Sequence, residues 1–194
     1  MPELPEVETT KRGIEPYIRN QSIKKILVRN NKLRIPFNKN LAKEITNIEI
    51  SNVKRRAKYI ILDFANGYSI VIHLGMTGNL RISKKIKYLK HDHIIFYLSS
   101  GNVLIYNDVR RFGLIQIYKT NESFFLLDNN GPDPFEKEAN TDYLFNKIKK
   151  SSASIKSILL NHKVISGIGN IYASEILFAT NISPTRIGKD VSYD

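Results

Sequence analysis

The chain contains no cysteine among its 194 residues. It can therefore form no disulfide bond, no cysteine nucleophile and no cysteine-ligated zinc site. It also lacks any apolar run near the roughly 20 residues that a transmembrane helix needs, and its acidic, proline-containing start is not typical of a secretory signal. These absences predict a soluble cytoplasmic protein with no membrane partner.

Acidic residues are few relative to basic ones. The chain has 30 lysines and arginines against 18 aspartates and glutamates, which gives a formal net charge of +12 and a pI of about 9.8. Such an excess of positive charge favours a polyanionic partner, and nucleic acid is the leading candidate. The alternative is a lysine-rich proteome in which many proteins are equally basic.

The first two thirds of the sequence predict many short strands. Turn signals such as Asn66-Gly67 and Gly101-Asn102 separate several of them, and this pattern is typical of an antiparallel sandwich or barrel. We expect strands at residues 23–28, 45–50, 59–64, 69–74, 93–98, 103–106 and 114–118.

The pattern changes at Gly131-Pro132-Asp133-Pro134, which predicts a linker. Helical spacing follows from Thr141 onward, and residues 190–194 are typical of a further helix start. We therefore expect an α+β chain: an N-terminal antiparallel β-sandwich domain with flanking helices over residues 1–131, then an incomplete helical domain over residues 132–194.

The N-terminus carries the clearest chemistry. Removal of Met1 would leave Pro2 with a free secondary amine, and its reference pKa of about 7.7–8.0 keeps a useful fraction neutral near pH 7. Such an amine can form an iminium with an aldehyde-level carbon, and the carboxyls of Glu3 and Glu6 are close enough in sequence to donate a proton. The alternative is an ordinary helix start, because Pro5 suits a first helical turn.

Several segments resemble one family, the bacterial formamidopyrimidine-DNA glycosylases. The resemblance begins with the N-terminal string PELPEVETT and covers nearly the whole chain. It continues in HLGMTG at residues 73–78, in DVRRFG at residues 108–113 and in GIGNIYASE at residues 167–175. The last string resembles the turn of a helix–two-turn–helix element, and Leu4 with PEVET favours the purine-specific enzymes over the endonuclease VIII type.

The resemblance implies roles for particular residues. Pro2, Glu3 and Lys58 would be catalytic, with Glu6 in support. The DNA-binding residues would be Met76, Arg110 and Phe112, which fill the space of an extruded base, together with His91, Arg111, Lys156, Asn170 and Tyr172.

Each of these motifs also has an ordinary structural interpretation. Lys58 could lie in a solvated basic turn, Met76 could belong to the core, and Arg110 and Phe112 could form a basic turn with a packed ring. The pair His91 and His93 suggests a metal site, but no third ligand cluster is visible. We expect His91 to contact the DNA backbone, His93 to be structural, and no metal to bind. Where the family commonly has proline, this chain has Val109, which affects only the stiffness of the loop.

The resemblance implies a monomeric, bifunctional base-excision repair enzyme that acts on double-stranded DNA. It would excise oxidised purines such as 8-oxoguanine and formamidopyrimidines through a Pro2 Schiff base, and would cut the strand at the resulting abasic site by β,δ-elimination. The family also carries a structural Zn²⁺ in a C-terminal four-cysteine finger, and this chain ends before that finger. Two alternatives stay open: a non-catalytic damaged-DNA-binding remnant, and a basic ribosome-associated protein.

Overall fold

The computed structural model describes residues 2–193. The chain folds into two units, which divide between Ser123 and Phe124. Met1 and Asp194 lie outside the described residues. None of the helices formed by residues 2–193 is long and apolar enough to cross a bilayer.

The first unit contains eight strands in two four-stranded antiparallel sheets, ordered β1-β6-β7-β5 and β2-β3-β4-β8. Helix α1 (Leu4–Ile18) precedes them, and the short helix α2 (Ala42–Ile45) lies between β1 and β2. The strands are β1 (Ile23–Val28), β2 (Ile50–Arg56), β3 (Tyr59–Phe64), β4 (Tyr68–His73), β5 (Gly78–Ser83), β6 (Asp92–Leu98), β7 (Val103–Asp108) and β8 (Leu114–Lys119).

One apolar core lies between the two sheets. Phe96 and Leu104 from one sheet and Leu62 and Ile72 from the other belong to the same buried cluster. Helix α1 contacts β2 and β3 of one sheet and β5 of the other. Burial of alternate side chains from both sheets against each other is the packing of a β-sandwich, so the predicted fold class is confirmed.

The strands predicted for this unit differ from the structure in three places. Residues 45–50 are not a strand: Ile45 ends α2, Asn47 has a φ of +64°, and β2 starts only at Ile50. The left-handed Asn47 turns the chain away from the extended conformation. Strand β5 had no place in the prediction. Residues 51–56 of β2 likewise had no predicted strand.

The second unit is helical. It contains α3 (Phe125–Asp128), α4 (Thr141–Lys149), α5 (Ile155–Leu159), α6 (Asn170–Ala179) and a 3₁₀ turn (Gly188–Asp190). Its separate core is formed by Ile148, Ile155, Ile158, Leu159, Ala173, Leu177 and Val191.

The segment expected to be a linker is hydrogen-bonded within the second unit. Gly131 N–H donates to the His162 carbonyl at 2.8 Å, and Ser166 N–H donates to the Pro132 carbonyl at 3.0 Å. The domain boundary between residues 131 and 132 stays a prediction.

Asp92, at the start of β6, ties three segments of the first unit together. Its carboxylate accepts two hydrogen bonds from the Arg81 guanidinium, at 2.7 and 2.6 Å. It also accepts from the Asn107 amide at 2.8 Å and from Leu89 N–H at 2.7 Å. Burial alone would raise the pKa of Asp92, but the Arg81, Leu89 and Asn107 hydrogen bonds outweigh it and lower the pKa to about 2.

We expect Asp92→Asn to flatten the acid dependence of stability. Because the folded-state pKa lies below the unfolded value, the stabilisation is complete above about pH 4 and is lost as the pH falls towards 2, a change of about 2 kcal/mol. Urea unfolding at a series of pH values between 5 and 2 measures the slope. The control Glu122→Gln removes the exposed ion pair with Lys119 and should leave the slope unchanged. Identical slopes for wild type and Asp92→Asn would contradict the assignment.

Candidate active site

Glu3, the residue directly after Pro2, is held in a fixed position at the start of α1. Glu3 is the N-cap residue of α1 and is fully buried, with 0% exposure. Its backbone N–H donates to the Glu6 carboxylate at 2.9 Å, and its carbonyl accepts from Val7 N–H at 3.0 Å. Pro2 is half-buried directly before it. Because the cap bonds fix the backbone of Glu3, they also restrict the position of Pro2.

Lys58 lies at the tip of the β2–β3 hairpin. Arg56 pairs with Tyr59, so the loop consists of Ala57 and Lys58 alone. Ala57 is buried and has a φ of +53°, a conformation that costs a non-glycine residue about 1 kcal/mol. Arg55 compensates, since its guanidinium donates to the Ala57 carbonyl at 2.9 Å and to Glu8 of α1 at 3.0 Å. The hairpin tip is thereby tied to α1, the helix that begins two residues after Pro2.

Lys58 interacts electrostatically with the carboxyls of Glu3 and Glu6. Burial lowers the pKa of Lys58, while the negative charges of Glu3 and Glu6 act in the opposite direction. The Lys58 amine therefore lies within Coulombic range of both carboxyls. The three residues predicted to be catalytic, together with the supporting Glu6, lie around the start of α1.

His73, at the end of β4, belongs to the same region, although the sequence motifs assigned it no individual role. Its ring packs on Tyr59 with centroids 5.0 Å apart, and its Nδ1 accepts a hydrogen bond from Gly75 N–H at 3.0 Å. Burial, with Arg34 and Lys58 nearby, lowers the pKa of His73 to about 4. The signal for His73 that the sequence offers is a polar residue at the end of a largely apolar strand.

Two loops at the same end of the sandwich pair with each other. Residues 74–77 join β4 to β5, and residues 109–113 join β7 to β8; we call them the paired loops. Gly75 has a φ of +64°, and an added Cβ there would lie 2.5 Å from Gly113 N and 2.6 Å from the Phe112 carbonyl carbon. The two backbones therefore touch at a point where only glycine fits.

The paired loops expose apolar and cationic side chains. Met76 is 39% exposed and Phe112 is 47% exposed, so neither is buried in the core. The Arg110 guanidinium lies over the Phe112 ring, 4.7 Å from its centroid. Arg111 is exposed and has a φ of +59°. Exposed rings and guanidinium groups of this kind can stack on nucleic-acid bases.

The two histidines near β6 have different surroundings. His91 is half-exposed, and its carbonyl accepts from Asp108 N–H at 3.1 Å. His93 is buried, with Nε2 at 2.6 Å from the Asp108 carbonyl. Within residues 2–193, no three His, Asp or Glu side chains are grouped so as to hold a metal ion. With no cysteine in the chain, its residues do not fit the four-cysteine zinc site of the resembled family.

In the second unit, Lys156 and Asn170 belong to one hydrogen-bonded group. Lys156 Nζ donates to the Ser174 hydroxyl at 3.0 Å, and that hydroxyl donates to the Asn170 carbonyl at 2.8 Å. Tyr172 is half-buried in the first turn of α6. Gly169 is the N-cap residue of α6, and Asn170 is its first helical residue. Its exposed side chain is thus free of capping and lies where α6 attracts anions.

Two family models match this chain. The formamidopyrimidine-DNA glycosylase N-terminal domain matches residues 1–115, and the formamidopyrimidine-DNA glycosylase H2TH domain matches residues 130–194. Among similar curated proteins, a formamidopyrimidine-DNA glycosylase from Klebsiella pneumoniae is 43% identical over 195 residues, which cover 100% of this chain and 72% of that protein. One from Hydrogenovibrio crunogenus is 43% identical over 188 residues, which cover 96% of this chain and 67% of that protein.

Solved structures agree with these matches. The Lactococcus lactis Fpg bound to DNA containing an abasic site has a TM-score of 0.91 at 32% identity, over 98% of this chain and 71% of that one. The same enzyme bound to DNA containing an oxidised pyrimidine gives the same TM-score of 0.91 at 32% identity, over 98% of this chain and 73% of that one.

We expect the pKa of Lys58 to fall further when a neighbouring carboxylate is removed. Glu6→Gln removes one charge that favours the ammonium form, and the amide oxygen can still accept from Glu3 N–H. NMR titration of ¹³C-methylated lysines measures the midpoint for Lys58. Glu122→Gln, which removes the charge beside Lys119, is the control and should leave the Lys58 midpoint in place. An unchanged or raised midpoint in Glu6→Gln would contradict the proposed grouping.

Gly75→Ala should destabilise the protein more than Gly101→Ala. Both glycines have positive φ, at +64° and +81°, but an added Cβ at Gly101 meets nothing within 4 Å. Backbone strain alone costs about 1 kcal/mol at either site, and the clash at Gly75 adds about 1–3 kcal/mol. Urea unfolding of the two variants measures the difference. Equal losses of stability would mean that the paired loops are not in close contact.

Proposed function

The chain belongs to the formamidopyrimidine-DNA glycosylase family of base-excision repair enzymes, and from this premise we propose that it excises oxidised purines from duplex DNA through a Pro2 Schiff base. The observation that carries the proposal is the buried Glu3 at the start of α1, next to Pro2 and within Coulombic range of Lys58. The proposed substrates are 8-oxoguanine and formamidopyrimidines. We also propose that the chain acts as a monomer in the cytoplasm.

The first step is displacement of the damaged base. With Met1 removed, the neutral amine of Pro2 attacks C1′ of the deoxyribose, and the bond between C1′ and the base breaks with its electron pair leaving on the base. The proton of the Pro2 nitrogen passes to the Glu3 carboxylate. Glu3 donates its proton to the ring oxygen O4′, so the sugar opens and an iminium joins Pro2 to C1′. The cap bonds of Glu3 support this role because they hold the carboxyl-bearing residue beside the amine with little freedom to lose.

The second step is strand cleavage. The iminium withdraws electrons from C1′ and makes the C2′ proton acidic. Loss of that proton expels the 3′ phosphate by β-elimination, and a second elimination expels the 5′ phosphate. The Lys58 ammonium, which Glu3 and Glu6 favour electrostatically, would hold the phosphate next to the lesion.

The remaining proposed residues bind DNA. Met76, Arg110 and Phe112, all exposed on the paired loops, would fill the space that the extruded base leaves. His91 and Arg111 in the first unit would contact phosphates. Lys156 and Asn170 would do the same in the second unit, with Tyr172 near them, at the N-terminus of α6.

A non-catalytic damaged-DNA-binding protein is the less favoured alternative. Binding alone needs exposed cations and aromatic rings, which the chain has. It does not need a fully buried glutamate fixed beside the terminal proline, nor a half-buried lysine next to that glutamate. These features cost desolvation free energy that a binding surface would not require.

Borohydride trapping tests the proposal. We expect wild-type protein lacking Met1 to form a covalent adduct on duplex DNA that contains 8-oxoguanine or an abasic site. Pro2→Gly should lower the adduct yield by about 100-fold. Glu3→Gln should lower trapping on 8-oxoguanine more than on the abasic site, since an abasic sugar already opens without protonation by the enzyme. A third duplex containing an oxidised pyrimidine measures lesion preference.

Pro5→Ala is the matched control, because it changes a proline of the same helix start without altering the terminal amine; its adduct yield should equal that of wild type. Absence of an adduct from wild type on every DNA, despite confirmed removal of Met1 and measurable duplex binding, would favour the binding protein instead.

A further inference from the structure

We propose that Thr77 and Asp108 are positioning residues that lock the paired loops into one unit, so that Met76, Arg110 and Phe112 enter DNA together. The inference rests on the proposed function for its DNA-level consequence. Its structural basis is a hydrogen-bonded connection between the loops, and that connection can be tested without DNA.

Asp108 is the centre of the connection. Its carboxylate is fully buried and accepts hydrogen bonds from the Thr77 hydroxyl at 2.5 Å, the Tyr106 hydroxyl at 3.1 Å and Gly113 N–H at 2.9 Å. Thr77 belongs to the first paired loop and Gly113 to the second. Burial and the charge of Asp108 raise the pKa of Tyr106, so that its hydroxyl stays a donor.

The Thr77 hydroxyl makes two hydrogen bonds, and the direction of each is fixed by its partner. Arg110 N–H donates to the Thr77 hydroxyl oxygen at 3.0 Å. The single proton of that hydroxyl is then available for Asp108 alone, which gives the sequence Arg110 N–H to Thr77 O–H to carboxylate. A hydroxyl can accept the first bond and donate the second through a single oxygen atom. Valine has the same shape as threonine and can do neither.

The connection constrains all three DNA-facing side chains. Met76 lies between Gly75, which touches the second loop, and Thr77, which is bonded to it. Arg110 has its own N–H held by Thr77, and Phe112 precedes the held Gly113. Side chains that are positioned before binding lose less conformational entropy when they enter the base stack. The lock should therefore favour base extrusion from a duplex and matter little where no stack must be opened.

The test compares Thr77→Val with Thr77→Ser, which keeps the hydroxyl. Without DNA, hydrogen exchange in the peptide covering residues 109–113 should be about fivefold faster in Thr77→Val, since Arg110 N–H loses its acceptor. On duplex DNA containing 8-oxoguanine, single-turnover excision should be about tenfold slower. Trapping on single-stranded abasic DNA should match wild type, and Thr77→Ser should stay within about twofold of wild type in all three measurements.

Two controls separate positioning from general loss of stability. Ser69→Ala removes a buried hydroxyl that donates to Asp63 at 2.7 Å, at the other end of β4. It should destabilise the protein without a specific loss on duplex DNA. A double-mutant cycle with Met76→Ala should show coupling, because Met76 contributes less once its loop is released.

The outcomes are distinct. Unchanged exchange in residues 109–113, or equal slowing by Thr77→Val on duplex and single-stranded DNA, would overturn the lock. If wild-type protein forms no adduct on any DNA, the proposed function fails, and the exchange measurement still decides whether the loops are connected.

Discussion

The anchoring of α1 in the sandwich core is the constraint on which the site depends. A chain terminus is ordinarily the least ordered part of a domain, and a nucleophile placed there needs a support that overcomes this tendency. Leu4, Val7, Ile14 and Ile18 bury one face of α1 in the core. The capping bond between Glu3 and Glu6 then extends that order to the residue after Pro2. The proposed chemistry therefore relies on packing over the whole length of the helix.

The hairpin tip shows how the same helix positions a residue far away in sequence. Ala57 adopts a left-handed conformation that nothing in its own side chain favours. Arg55 offsets that cost by bonding both the Ala57 carbonyl and Glu8. The backbone strain at Ala57 is tolerated because the partly buried ion pair between Arg55 and Glu8 stabilises the turn. The turn in consequence holds Lys58 beside two carboxyls. A shift of α1 would therefore move Pro2 and Lys58 together.

The sequence predicted the fold well where a local apolar pattern alone determined the element. Strands β1 and β3 and the sandwich followed from short apolar runs between turns, and the comparisons confirm the family that the motifs indicated. The strand expected at residues 45–50 failed because the backbone of Asn47, and not its hydrophobic neighbours, sets the direction of the chain. The part played by Thr77 could not be predicted, since its partners are 31 and 33 residues away.

His73 connects the two halves of the site in the first unit. It lies within Coulombic range of Lys58 on one side and of Asp108 on the other, and its Nδ1 holds Gly75 of the paired loops. An imidazolium could not accept that hydrogen bond, so the connection requires the neutral ring. Burial and the nearby cations lower the pKa of His73 to about 4, and the ring therefore stays neutral throughout the physiological range. Burial, assisted by the charges of Arg34 and Lys58, thus preserves the bond between the proposed catalytic residues and the paired loops.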